Sequence, residues 1–208
     1  MKRITFLLFI GLLSAGVLRA EDPGLYLRRV HMLKIPYAFS GPAALHAGVT
    51  GVTSGLIQAQ AAAGIPFGGA YRFTGGIGAG RDPLFGEMLS DVFLGLDTRG
   101  AFPGDSTLFW VIGASAEDRR AESFRNRAVC LHLFLQKAWP RIRIAAGAEV
   151  SLQHHRVEDN PLTASLDERV YVLMPRIAFY SPWGDVHISA LRNAVSAGIA
   201  WTLQLGEQ

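Results

Sequence analysis

One pair of residues in this sequence has the types and the spacing that hydrolytic chemistry uses. His187 and Ser189 lie two positions apart in an alternating segment, so on a β-strand both side chains would project from one face. An imidazole beside a hydroxyl is the arrangement that activates a serine nucleophile. However, no acidic residue follows before Glu207 to orient the imidazole. We therefore interpret the pair as part of a polar face and keep catalysis as a remote alternative.

Three other features could bind a metal or a phosphate, and each favours a structural role. His154 and His155 are adjacent, so on a strand they point to opposite faces and cannot easily share a metal. The glycine-rich run 75–80 lacks the following helix that a phosphate site needs, and its glycines favour close strand packing. Cys130 is the only cysteine, which excludes an intramolecular disulfide. We predict no metal and no cofactor.

The first 20 residues read as a cleavable secretory signal peptide. Lys2 and Arg3 provide a positive start, an apolar run covers 4–18, and Ala20 precedes an acidic stretch. The run of fifteen residues is shorter than the roughly 20 that a spanning helix needs. Without Lys2, Arg3 and Arg19 the chain has 17 basic and 17 acidic residues, so it lacks the basic excess of a nucleic-acid binder. We expect 21–208 to form one exported domain.

The elements that must position these residues are β-strands, because apolar residues alternate with small or polar ones along most of 21–208. The clearest case is 141–153, which the tight connector 137–140 joins to the alternating segment 128–135. Further alternation occurs in seven more segments, which are 43–60, 67–77, 91–96, 108–115, 170–180, 186–191 and 194–205. The fold class is therefore all-β, built from antiparallel hairpins.

Connector lengths predict how the strands are oriented and counted. Long charged connectors are expected at 117–126 and 157–168, and tight ones at 137–140 and 181–185. Membrane barrels have short periplasmic turns and longer external loops. If the last strand runs towards the periplasm, counting strands backwards along the chain gives the same direction for 43–60. A strand of the opposite direction must therefore precede 43–60. This parity favours ten strands, with 25–35 supplying the first, over the alternative of eight.

The composition of the two faces predicts that the apolar face is outside. Lysine is nearly missing from the strands, and the faces opposite the aliphatic ones contain small residues and a few charges. This pattern suits a crowded barrel interior and a lipid-facing exterior, with tryptophans and tyrosines forming girdles at the interfaces. A periplasmic soluble β-domain is the alternative. The predicted lumen-lining residues are Arg72, Asp91, His132, Arg141, Arg143, Glu149, Arg176 and His187.

The end of the chain carries a resemblance to a known class of protein. From Ser196 a polar residue is followed by Gly198 and then by apolar residues at alternating positions, including Trp201. This resembles the signal by which the outer-membrane assembly machinery recognises barrels, although the chain does not end on Phe. With its size and architecture, 21–208 resembles a small outer-membrane β-barrel of the OmpW/OmpX type, and a spirochaetal member is one alternative. The resemblance implies a bacterial outer-membrane location, with lipid and the assembly machinery as partners.

Three functions are compatible with this sequence. The first is a narrow porin or small-molecule channel for anionic or hydrophobic solutes, because arginine outnumbers acidic residues on the polar face and so short a chain excludes a wide pore. The second is a structural or adhesion barrel that binds extracellular ligands through 117–126 and 157–168. The remote third is a lipid-modifying hydrolase, since His187 and Ser189 are similar to the His-x-Ser-Asn signature of outer-membrane lipid A deacylases. In that signature Asn stands where this chain has Ala190.

Overall fold

The fold is a closed barrel of ten antiparallel strands, which confirms the predicted class and the favoured strand number. The computed structural model describes residues 43–52, 56–81, 86–122, 124–157, 166–191 and 194–205. The strands are β1 (Ala43–Val52), β2 (Ile57–Phe67), β3 (Tyr71–Arg81), β4 (Met88–Phe102), β5 (Asp105–Arg120), β6 (Phe124–Ala138), β7 (Arg143–Val157), β8 (Leu166–Ser181), β9 (Gly184–Leu191) and β10 (Ala194–Leu205).

Each strand pairs with its neighbours in the chain, and β1 closes the barrel by pairing with β10. Four tight connections lie at one end of the barrel, between β2 and β3, β4 and β5, β6 and β7, and β8 and β9. We call this the turn end, and the opposite end the loop end. At the first of these turns Gly68 and Gly69 have φ angles of 57° and 73°, a conformation that glycine adopts without steric cost.

The period-two pattern sorts the side chains between the two sides of the barrel wall. On β6, Leu131, Leu133 and Leu135 point outward and are 62%, 53% and 50% exposed, whereas Cys130 and Phe134 on the opposite face are buried. Large apolar side chains are exposed in the same way on the other strands. Because a water-soluble barrel buries its apolar face, this exterior is that of a barrel embedded in lipid.

The aromatic side chains gather mainly at one end of this apolar belt. Phe67, Tyr71, Trp139 and Trp183 are exposed at the connections of the turn end. Aromatic rings with a polar edge favour the membrane–water interface, so this end has the predicted girdle. At the loop end, by contrast, the exposed tyrosine among the described residues is Tyr171. Within the described ranges, no helix is long and apolar enough to cross a bilayer.

The way in which the sequence reaches ten strands differs from the prediction. The segment 43–60 is not one descending strand, because β1 ends at Val52 and β2, which starts at Ile57, runs antiparallel to it. The small residues of this segment alternate weakly on both sides of the break, which hid the reversal. The segment 25–35, predicted as the first strand, lies outside the described residues, as do the predicted signal peptide and most of the loop 157–168.

The predicted long loop at 117–126 is also wrong. β5 continues to Arg120 and β6 begins at Phe124, so the connection is only three residues long. Charged residues in this segment stand on paired strands, with Asp118 opposite Arg127. The sequence pattern predicts a loop because both faces of the two strands carry charged residues in the part that extends beyond the apolar belt.

Candidate functional site

The candidate site is the barrel interior, where the structure gathers most of the predicted polar residues. Five of the eight predicted lumen-lining side chains point inward and are at most 5% exposed; these are Arg72, Asp91, Glu149, Arg176 and His187. His132 is nearly buried, and its Nε2 lies 2.8 Å from Asp97 Oδ1. Arg143 is half-buried on β7, and Arg141 is exposed in the turn before it. Their functional role stays a prediction.

In the middle of the barrel, Arg176 and Glu149 form a buried ion pair. A guanidinium nitrogen of Arg176 on β8 donates to Glu149 Oε1 on β7 at 3.3 Å, and both side chains are about 2% exposed. Gly147 lies directly opposite Arg176 in the strand register. The pair therefore lies inside the barrel and does not stand open to solvent.

Towards the loop end, a second charged group is centred on Asp91. Asp91 Oδ2 accepts hydrogen bonds from Gln58 at 3.0 Å, from Gln60 at 3.3 Å and from Arg119 at 3.4 Å. Sequence reasoning identified Asp91 but missed its three partners. Arg119 lies in the predicted loop 117–126, where no inward-facing side chain is expected. The two glutamines fell in the segment whose strand boundary was misplaced, although their two-residue spacing is a signal of a shared face.

Towards the turn end, a chain of polar side chains crosses the closure of the barrel. A guanidinium nitrogen of Arg72 on β3 lies 3.3 Å from His46 Nε2, and His46 Nδ1 lies 2.9 Å from Thr202 Oγ1. Thr202 in turn donates to Asp185 Oδ2 at 3.0 Å. These contacts link β3, β1, β10 and β9 across the point where the first and last strands meet, and none was predicted apart from Arg72.

The His187–Ser189 pair points into the barrel, as the preferred interpretation of its strand phase required. The two residues are 3% and 2% exposed, and His187 Nε2 lies 3.0 Å from Thr50 Oγ1. His187 Nδ1 has no hydrogen-bond partner among the described residues, so no described carboxylate orients the imidazole as nucleophile activation requires. The pair also faces away from the lipid that a lipid-modifying enzyme would act on.

The two adjacent histidines diverge, as strand geometry requires. His155 is fully buried inside the barrel, whereas His154 lies on the outer face. Across the described strands, no group of three or more His, Cys, Asp or Glu side chains has a geometry that could hold a metal ion.

A cavity of about 540 Å³ opens at the turn end, and Arg72, Arg141 and Arg143 are among the residues that line it. Arg99 adds a fourth guanidinium nearby, which lies 5.3 Å from the centre of the Phe109 ring and repels Arg143 electrostatically. We call these four arginines the mouth cluster. Asp97 and Asp185 are the acidic residues that act on the cluster in the described barrel, so the basic charge there is only partly balanced.

The charge balance of the interior side chains that the structure describes differs from the predicted arginine excess. The inward-facing basic residues of the described strands are Arg72, Arg99, Arg119, Arg143 and Arg176. The inward-facing acidic residues are Asp91, Asp97, Glu117, Glu149 and Asp185. Among the side chains that the structure describes the numbers are equal. The sequence analysis did not count Asp97, Glu117 and Asp185, because Asp97 follows a predicted strand and the other two lie in predicted connectors. Among these described side chains, arginine is therefore in excess at the turn-end mouth and not along the rest of the lumen.

The comparisons with known proteins find no matching family, but they find several solved barrel structures of low sequence identity. No family model and no curated protein matches the sequence. A KdgM porin matches with 5% identity and a TM-score of 0.40, over 78% of this chain and 99% of the porin. The translocator domain of the autotransporter NalP from Neisseria meningitidis matches with 9% identity and a TM-score of 0.45, over 88% and 92% of the two chains.

A second structure of this porin, described as in complex with disordered oligogalacturonate, matches with 7% identity and a TM-score of 0.44, over 78% of this chain and 99% of the porin. At these identities the likeness concerns the barrel architecture alone. The OmpW/OmpX type therefore stays a prediction.

Proposed function

We propose that this protein is an integral barrel of the bacterial outer membrane that conducts small solutes, with a preference for anions, through a narrow lumen. The predicted signal peptide would export it, and the assembly machinery would recognise β10 as its last strand. The observation that carries the proposal is the cavity at the turn end, because three arginines of the mouth cluster line it at the entrance of a polar interior.

The orientation follows from the two ends of the barrel. Tight turns with exposed aromatic residues mark the turn end as the periplasmic side, since membrane barrels keep their short turns there. Anionic solutes on that side would meet Arg141 and Arg143 first and Arg72 deeper in. Guanidinium groups bind carboxylates and phosphates through paired hydrogen bonds, so the cluster concentrates such solutes at the entrance.

The lumen limits the size of what passes. In the middle of the barrel Arg176 and Glu149 are about 2% exposed, so side chains fill the cross-section. Ten strands leave little more space than the side chains themselves occupy. Ions and very small solutes would therefore pass only when these side chains move, and the protein would be a low-conductance channel.

One of the two predicted loops that support the alternative adhesion function is not a long loop. It depended on two long loops, and the connection within 117–126 is only three residues long. The other loop lies largely outside the described residues.

Solute flux into liposomes tests the proposal. Liposomes containing the folded protein should swell faster in acetate than in an uncharged sugar, and Arg143→Gln should reduce the acetate rate severalfold. Ser106→Gln is the matched control, because Ser106 is exposed at the same end outside the mouth cluster. Swelling no faster than that of protein-free liposomes in either solute would refute the channel.

A further inference from the structure

A row of charged residues crosses the outer wall of the barrel just above the apolar belt at the loop end. Asp118 on β5, Arg127 on β6, His154 on β7 and Arg169 on β8 occupy directly facing positions in the strand register. Their neighbours in sequence Arg119, Asn126, Gln153 and His155 are buried inside, so the row itself faces outward. We call these four residues the outer row.

The outer row is basic in character because its acidic member, Asp118, forms ion pairs with arginines outside the row. Asp118 lies 2.7 Å from guanidinium nitrogens of Arg120 and Arg125, which stand one step further from the belt. Arg127 and Arg169 are both exposed, and neither forms an ion pair with another described residue. The outer row therefore presents two guanidinium groups, with the imidazole of His154 between them.

An apolar groove of about 450 Å³ runs down the wall from the outer row towards the belt. Below the row its outward-facing lining consists of Leu94, Ala116, Val129 and Leu152, and Val92 lies beside Asp118 at the level of the row. Ala116 pairs with Leu94 on one side and Val129 on the other, so its small side chain forms the depression. The groove is thus apolar below and charged at its upper rim.

We propose that this surface binds a membrane lipid whose headgroup carries phosphate. An acyl chain would lie along the groove, and Arg127 and Arg169 would hold the phosphate oxygens from either side. Because the two arginines are two strands apart, about 10 Å separates their backbones, which long side chains can close around one headgroup. Arginine binds phosphate with paired, charge-assisted hydrogen bonds, and His154 can donate another.

The position of the groove selects a lipid over a soluble anion or a protein. Val129 and Leu152 belong to the exposed apolar belt, so lipid tails already surround the lower groove. The outer row lies two residues further along the strands, about 7 Å away, which is where headgroups begin. The occupant must therefore combine an apolar tail with an anionic head.

Native mass spectrometry of the folded protein in neutral detergent tests this inference, with bisphosphorylated lipid A as the anionic probe and a neutral galactolipid as the comparison. The wild-type protein should bind lipid A at least tenfold more tightly than the galactolipid. Arg127→Gln and Arg169→Gln should each weaken lipid A binding about fivefold. Arg81→Gln should change it less than twofold, since Arg81 is an exposed arginine on β3, away from the outer row.

Heat-modifiable migration would first establish that each variant is folded, and Arg127→Lys should keep most of the binding if one glutamine variant fails. Equal affinity for the two lipids, or an equal loss in Arg81→Gln, would overturn the proposal. Displacement of lipid A by millimolar orthophosphate would also overturn it, because the site would then bind free phosphate. None of these outcomes depends on channel activity.

Discussion

Arg176 and Glu149 form an ion pair across β8 and β7, with 3.3 Å between the guanidinium nitrogen and Oε1 and with both side chains about 2% exposed. Each charge is removed from water, so each depends on the other for its stabilisation. The barrel interior is therefore held together by pairs of charges in the place where a soluble protein has an apolar core.

Removal of one member of this pair should destabilise the barrel strongly. Glu149→Gln would leave the guanidinium of Arg176 buried without its counter-charge, and we expect a loss of about 3 kcal/mol in the free energy of unfolding. Urea titration of vesicle-embedded protein, followed by tryptophan fluorescence, measures this loss. The double variant Glu149→Leu with Arg176→Met should lose less than the single variant. If the single variant were as stable as wild type, the pair would be solvated and not buried.

Gly147 should not tolerate a side chain. A Cβ at this position would meet the backbone oxygen of Leu133 and approach Phe134 Cα at 2.7 Å, so β6 and β7 would have to move apart. We expect Gly147→Ala to reduce the stability by about 1–3 kcal/mol in the same assay. Gly51→Ala is the control, because nothing lies within 4 Å of its added methyl group. Equal stability of the two variants would contradict the described strand packing.

A charge on the outer face should interfere with insertion into the bilayer. Leu131 is 62% exposed in the middle of β6, and Leu131→Lys would place an ammonium group against lipid tails. The expected cost is about 2–4 kcal/mol. Ser106→Lys, at the exposed turn end, should cost less than 1 kcal/mol by comparison. Folding yields in vesicles measure both, and an unaffected Leu131→Lys variant would favour a soluble β-domain.

Acid should weaken the contact between Asp105 and Lys137 at the turn end. Lys137 Nζ donates to Asp105 Oδ2 at 2.6 Å, and this hydrogen bond, with a second one from Thr107, lowers the pKa of Asp105 well below its usual range. A folded-state pKa below the unfolded value means that the contribution to stability is present above the unfolded value of 3.8 and is lost as the pH falls below it.

The melting temperature of wild type should therefore exceed that of Asp105→Asn at pH 6, and the difference should narrow at pH 3. Lys137→Gln removes the other partner and should show the same narrowing. A difference that stays constant with pH would mean that the contact does not depend on the charge of Asp105.

The sequence predicted the barrel and much of its inner face because strand geometry repeats every two residues. Once 141–153 was recognised as a strand, its phase determined that Glu149 points inward and Val150 outward, and both hold in the structure. Where large and polar residues alternate, as at His187 and Ser189, the phase was equally clear.

The sequence could not predict how the strands are joined where residues are small or where both faces are charged. Ala59, Ala61 and Ala63 face lipid while Gln60 and Ala62 face inward, so alanine occurs on both sides and the reversal before Ile57 left no signal. At Asp118 and Arg119 both faces are charged because the strands rise above the belt. Ion pairs between neighbouring strands, such as that of Asp91 on β4 and Arg119 on β5, depend on these unresolved phases.

Reversal potentials in planar bilayers test the central proposal most directly. With a gradient of potassium chloride across the membrane, the folded wild-type protein should form channels of low conductance that favour chloride over potassium. Arg143→Gln should lower that preference at least twofold, because it removes one guanidinium from the mouth cluster and leaves Asp185 in place. Repeated insertions without conductance, or a preference for potassium that the variant does not change, would contradict a narrow anion-preferring channel.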